Sequence, residues 1–274
     1  TNYFVAVSYG EDTNNGLSVN TPFKTIGKAA SVMSSGDICY IRQGRYHEII
    51  SINDLDGASG APVIFTNYNN ERVVIDGTIP ITSSWTQVGS SNLWRTKLTQ
   101  DIWQLFINWE EQVMARWPNA NFNNGTIWDN DNYWAKGTID DDENAYSNGS
   151  IIDDPYTNSA GTLIDLSSTG FDLDETNKQA IAILNLGSFR TWSRIVTSHS
   201  SNTFNYATVP SWKTKHHYYY LEGRKEFLDQ EGEWWYDTYN NNDSLYYFAA
   251  TGVDPNKLDF RGKVQSYAFS ITGS

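Results

Sequence analysis

Three short runs decide the fold: Ile38-Cys39-Tyr40-Ile41, Val63-Ile64-Phe65 and Val73-Val74-Ile75. Each is apolar throughout rather than alternating, the pattern of strands covered on both faces in parallel sheets or solenoid rungs. Polar corners such as Asp54-Leu55-Asp56-Gly57 and Asn67-Tyr68-Asn69-Asn70 join them, with no helical pattern between. A doubly wound sheet needs a helix in each such connection, whereas a parallel β-helix needs only turns. Upstream, Phe23, Ile26, Ala30 and Met33 recur at spacings of three and four, which predicts a short amphipathic helix over Pro22 to Ser34, stopped by Ser35-Gly36. Placed before the first rung, it would cover the open end of the solenoid.

Outward from these runs the chain stays rich in short strand signals: Gln104 to Ile107, Ala180 to Leu186, Arg194 to Thr197 and Tyr218 to Leu221. From about Trp117 to Asp174 it is loop-like and acidic, as expected of an insertion carried by the solenoid. Gln265-Ser266-Tyr267-Ala268-Phe269-Ser270-Ile271 then reads as one more rung without a terminal cap. The expected architecture is all-β: a right-handed parallel β-helix with a short capping helix and an inserted β-rich lobe. The expected divisions are residues 1–108 for the cap and first rungs, 109–211 for the lobe, and 212–274 for a return to rungs, incomplete at the C-terminal end.

Composition narrows the partners. The 274 residues carry a formal net charge of -13, and 15% are aromatic, with 11 Trp and 17 Tyr. An acidic surface repels phosphate backbones, so nucleic acid is not an expected partner. No apolar run approaches the length needed to span a membrane. Trp and Tyr mixed with 27 Asn residues and abundant Gly suit a surface that stacks on sugar rings and hydrogen-bonds hydroxyls, although large aromatics also fill β-rich cores. The single Cys39 excludes an intramolecular disulfide and, in its apolar run, reads as a buried inert thiol. A start at Thr1 rather than Met is read as a processed product, expected from export.

Several segments resemble a known group. Asn2-Tyr3-Phe4-Val5, Gly10-Glu11-Asp12, Thr21-Pro22-Phe23-Lys24-Thr25-Ile26, Gly36-Asp37 and Gly44-Arg45-Tyr46-His47-Glu48 are similar to the opening of secreted bacterial right-handed parallel β-helix proteins of the pectate-lyase-like superfamily. Gln104-Leu105-Phe106-Ile107-Asn108 with Met114-Ala115-Arg116-Trp117-Pro118-Asn119 resembles β-helical glycoside hydrolases of the β-xylosidase and α-fucosidase or xylanase type. So does Tyr219-Tyr220-Leu221-Glu222-Gly223 with Leu228-Asp229 and Gly232-Glu233-Trp234-Trp235-Tyr236-Asp237. The resemblance implies a β-sandwich lobe interrupting the early rungs and catalytic carboxylates supplied by later rungs, so that either the chain is the N-terminal portion of a longer protein or a partner chain covers the open end. The sequence departs from this pattern after Asn108, where Trp109 replaces the usual Gly and argues against a tight type I′ turn.

Glycosidic cleavage needs a pair of carboxylates. Glu222 and Asp237, each following an aromatic strand, are the candidates for desolvated acids. Glu226, Asp229, Glu231 and Glu233 lie close by in sequence. Trp212-Lys213-Thr214-Lys215-His216-His217-Tyr218 concentrates cations beside aromatics. Lys213, Lys215, His216 and His217 are candidates for binding an acidic sugar, and His216 for proton abstraction in a lyase. The alternative is an edge strand protected by charge. In a regular strand His216 and His217 face opposite sides. Arg116 with Trp117, and Arg190 with Trp192, are candidate pairs for stacking on a sugar. Asp140, Asp141 and Asp142 could hold Ca²⁺, without the spacing of a Ca²⁺-binding loop; a solvated acidic loop is the alternative. No other cofactor is expected.

Together these observations predict a secreted or periplasmic bacterial enzyme acting on an oligo- or polysaccharide. The first expectation is a glycoside hydrolase cleaving a plant or algal polysaccharide with paired carboxylates. The others are a lyase acting on an acidic glycan by β-elimination, and a non-catalytic carbohydrate-binding portion of a larger β-helix protein.

Overall fold

A computed structural model describes residues 1–136, 146–147, 151–153, 179–185, 191–200, 203–207, 212–213, 218–237 and 243–273. Among the described residues the regular structure is mostly β with a few short helical turns, and the chain divides into two compact units: Thr1–Ile79 with Lys263–Ser274, and Pro80–Gly262. The divisions expected at 108/109 and 211/212 both fall inside the second unit.

In the first unit the strands Asn2–Val5, Ile38–Ile41 and Ile64–Asn67 pair parallel and in register, so that Phe4 lies beside Tyr40 and Cys39 beside Phe65. Two further parallel pairs follow: Gly44–Tyr46 with Val73–Ile75, and Ile50–Asn53 with Phe269–Thr272. The last pair gives the rung-like segment at the end of the sequence its partner. The strands are not covered on both faces as their composition implied. Cys39 and Ile41 point into the core with Val5, Phe23, Ile26 and Ile50, whereas Tyr40 on the other face stacks on Phe4 at 5.6 Å and meets Tyr68 edge-on. Aromatic and aliphatic residues thus fill both sides of a strand that still alternates. Burial pushes the Cys39 thiol up to about 12, which makes it inert at neutral pH.

The helix is shorter than its periodicity predicts: Ile26–Ala30, five residues, against the thirteen-residue span Pro22 to Ser34. Its start is held by side chains. Thr25 caps Lys28 N, and Glu48 accepts from Ile26 N and Gly27 N, both at 2.9 Å. Asp12 accepts from the amides of Lys24 and Thr25 and from the Thr25 hydroxyl. A Cβ at Gly10 would lie 2.1 Å from the Phe23 carbonyl oxygen, and Gly16 sits at φ +71 against the Phe23 ring. The residues behind the family-like opening therefore do structural work around this helix.

Among the described residues the second unit has two large sheets and the two-stranded pair Tyr146–Ser147 with Trp212–Lys213. The larger has eight strands, seven of which run in the order Phe260–Lys263, Leu105–Ile107, Glu110–Met114, Glu233–Asp237, Ser244–Phe248, Leu93–Lys97 and Thr86–Gln87. Only Glu110–Met114 with Glu233–Asp237 is parallel among these pairings. The other sheet is antiparallel, in the order Arg116–Trp117, Tyr218–Glu222, Ile181–Asn185, Thr191–Ser200, Thr203–Tyr206 and Ile151–Asp153, with Ala135–Lys136 also on Tyr218–Glu222. Tyr219, Leu221, Ala182 and Leu184 from this sheet bury against Trp235 and Tyr246 from the larger one.

The hairpin Leu105–Ile107 to Glu110–Met114 corrects one expectation. Asn108 at φ 51 and Trp109 at φ 72 form a two-residue turn with both positions left-handed, although Trp109 replaces the usual glycine. The Trp109 ring lies under the Arg261 guanidinium at 4.3 Å, a contact that offsets part of the backbone cost.

Candidate functional site

Strand alternation builds the site. In Tyr218–Glu222, Tyr219 and Leu221 enter the core, so Tyr220 and Glu222 take the opposite face of the sheet. Arg116 is the cross-strand neighbour of Glu222 and joins them there. All three line a cavity of about 430 Å³. Its floor comes from the neighbouring sheet through Glu111, Gln112, Val113, Met114 and Trp234. Its rim comes from Trp103 and from the loop after Trp117, which contributes Phe122, Ile127, Trp128 and Trp134.

That loop is shaped by local polar bonds. Thr126 N donates to Asn124 Oδ1 at 3.0 Å, Asn121 N donates to Thr126 Oγ1 at 2.9 Å, and Gly125 at φ 76 closes the turn. Asp129 then caps the single turn Asn130–Tyr133. The result presents Trp128 as 77% exposed and Trp103 as 50% exposed, two large aromatic faces open to solvent beside a cavity.

Arg116 is 1% exposed, and its guanidinium lies 3.7 Å over the Tyr220 ring. Its Nε donates to Pro118 O at 2.9 Å and its Nη2 to Tyr133 O at 3.1 Å. Burial lowers its pKa to about 10, opposed by Tyr220, Glu222 and Glu233. Burial pushes the Glu222 carboxyl up to about 7, against the pull of Arg116. Glu233 is likewise raised to about 7 by burial, while the amides of Asp229 and Gln230 donate to its Oε2 at 3.0 Å and hold the value down. Arg116 Nη1 and Trp134 Nε1 are buried without a hydrogen-bond partner in the protein.

Two further cavities adjoin. A small one of about 40 Å³ shares Glu111, Gln112 and Phe122 with the aromatic cavity. It shares Asn121, Asn123, Gln230 and Glu231 with a polar cavity of about 660 Å³, which Asn108, Glu110 and Asp229 also line.

Of the candidates named from sequence, Arg116 and Glu222 come together in the aromatic cavity. Trp117 does not join them: one position along the strand, it turns to the core and lies 6.2 Å from Tyr219. Asp237 ends the strand Glu233–Asp237 opposite Ser244 and lines none of these cavities. The backbone of Lys213 pairs with Tyr146. Lys215, His216, His217, Arg190, Asp140, Asp141 and Asp142 lie outside the described residues. Among the described residues no group of three or more His, Cys, Asp or Glu side chains could hold a metal ion, and no helix is long and apolar enough to cross a membrane. Sequence reasoning missed Trp103, Glu111, Phe122, Trp128 and Trp134. For the three tryptophans the only signal was the abundance of that residue, and no pattern singled out Glu111 or Phe122.

No family model matches the chain. A solved structure described as a glycoside hydrolase superposes over 99% of this chain and 47% of its own, with a TM-score of 0.63 and 17% identity. A structure described as the complex of XylC with xylose covers 98% of this chain and 32% of its own, with a TM-score of 0.44 and 15% identity. The Bacillus subtilis (strain 168) protein YwoF, described as uncharacterized, is 37% identical over 75 residues, which are 27% of this chain and 16% of YwoF. The matched portions thus cover less than half the length of each of these proteins. Its fold is one seen in a glycoside hydrolase.

Proposed function

We propose that the chain belongs to a secreted or periplasmic bacterial glycoside hydrolase acting on a plant or algal polysaccharide. In this reading the first unit forms rungs of a right-handed parallel β-helix, supported by its in-register parallel pairs. The second unit engages the glycan. The observation that carries the proposal is the aromatic cavity, where exposed Trp103 and Trp128 stand beside Gln104, Gln112, Glu111 and Glu222. Flat aromatic faces pack against the C–H faces of sugar rings, and amides and carboxylates bind the hydroxyls. The fold shared with a glycoside hydrolase adds support.

Within the cavity Glu222 is the carboxyl suited to donate a proton, because burial keeps part of it protonated near neutral pH. Glu111 lines the same cavity and is the candidate second carboxylate. The test is release of reducing ends from a panel of plant and algal polysaccharides by the full-length protein. No release rejects the hydrolase, and an ultraviolet-absorbing unsaturated product would assign a lyase instead. Glu222→Gln is expected to lower turnover by about a hundredfold or more without abolishing binding. Unchanged turnover would remove Glu222 as the acid.

A further inference from the structure

The aromatic cavity, the small cavity and the polar cavity share walls in series. We infer that the three form one binding groove for a glycan chain several units long, selective for uncharged sugars over uronate or sulfated ones. This rests on the carbohydrate reading above and deepens it.

Two observations support a chain rather than a single sugar. The two larger chambers, about 430 and 660 Å³, each reach the size of a small-molecule site, and Gln112 lines both. Their chemistry differs in a way that suits successive units. Trp103, Phe122 and Trp128 give the first chamber faces for stacking, while Asn108, Asn121, Asn123 and Gln230 give the second amides for hydroxyls.

The selectivity follows from charge. Glu110, Asp229 and Glu231 line the polar chamber, and no Lys, Arg or His does so among the described residues. In the aromatic chamber the cation Arg116 already carries Tyr220 on its face, donates to two carbonyls and neighbours Glu222. An anionic sugar would therefore meet carboxylates without a free countercharge from these walls.

Titration calorimetry on the whole chain tests this, using cello-, xylo-, manno- and laminari-oligosaccharides from monosaccharide to hexasaccharide, with oligogalacturonides as the anionic series. Affinity for the preferred neutral series is expected to rise about tenfold or more from disaccharide to hexasaccharide, with oligogalacturonides at least about tenfold weaker. Trp128→Ala, at an exposed position, is expected to weaken all lengths about three- to tenfold. The double variant Asn123→Ala with Glu231→Ala, also exposed, is expected to weaken only the longer chains. Affinity that is flat with length, or an anionic series that binds as tightly as the neutral one, overturns the groove and leaves the carbohydrate reading standing. Failure of every series to bind overturns both.

Discussion

Glu233 shows how a single buried group sets a pH dependence. Its pKa of about 7 lies above the ordinary value of 4.5, so between these values the folded chain holds a proton that the unfolded chain has released. Its contribution is therefore full below about 4.5 and is lost as pH rises through about 7. Glu233→Gln keeps an acceptor for the amides of Asp229 and Gln230 but does not ionise. It is expected to flatten the fall in stability from pH 5 to pH 8 by about 2 kcal/mol, read from urea midpoints at the two pH values. Arg116 is the opposite case, a buried cation whose planar head fits one geometry. Arg116→Lys loses the bonds to Pro118 O and Tyr133 O and the stacking on Tyr220, and is expected to cost about 2–4 kcal/mol in the same measurement. Arg116 was legible as a candidate because an Arg-Trp pair stood out in the sequence. That its partner Trp117 faces away follows from strand alternation, which is visible only once a strand is known to cross that position.

The helix Ile26–Ala30 is too short to persist on its own propensity and depends on its N-terminal partners. Glu48→Ala removes the acceptor of two first-turn amides and is expected to lower stability by about 2 kcal/mol, with an unchanged denaturant slope. Glu48→Gln, with one acceptor oxygen left, is expected to lose about half as much. The apolar spacing announced this helix but overstated its length, because Phe23 and Met33 reach the core from outside it. The hairpin at Asn108-Trp109 was misjudged for a related reason. Local preference argues against a left-handed Trp, but pairing across Leu105–Ile107 and Glu110–Met114 and the Arg261 contact impose it.

At the level of the molecule, a net charge of -13 makes self-repulsion a general term that salt screens. Raising NaCl from low to moderate concentration is expected to raise the thermal midpoint by a few degrees at neutral pH, checked by scanning calorimetry; a fall would show that attractive ion pairs dominate instead. The all-β character, the parallel strands of the first unit and the inert Cys39 were open to reading in the chain, because short apolar runs between polar corners are a local property. The abundance of Trp, Tyr and Asn was open too, since counts need no fold. The cavity was not. Trp103, Glu111, Trp128 and the pair Tyr220 and Glu222 come from four separated segments, and they line one cavity only because two sheets and a loop converge. Sequence patterns report which residues lie on one side of a strand; which strands lie side by side, and so which carboxylate loses its water, is set by long-range pairing that no local pattern encodes.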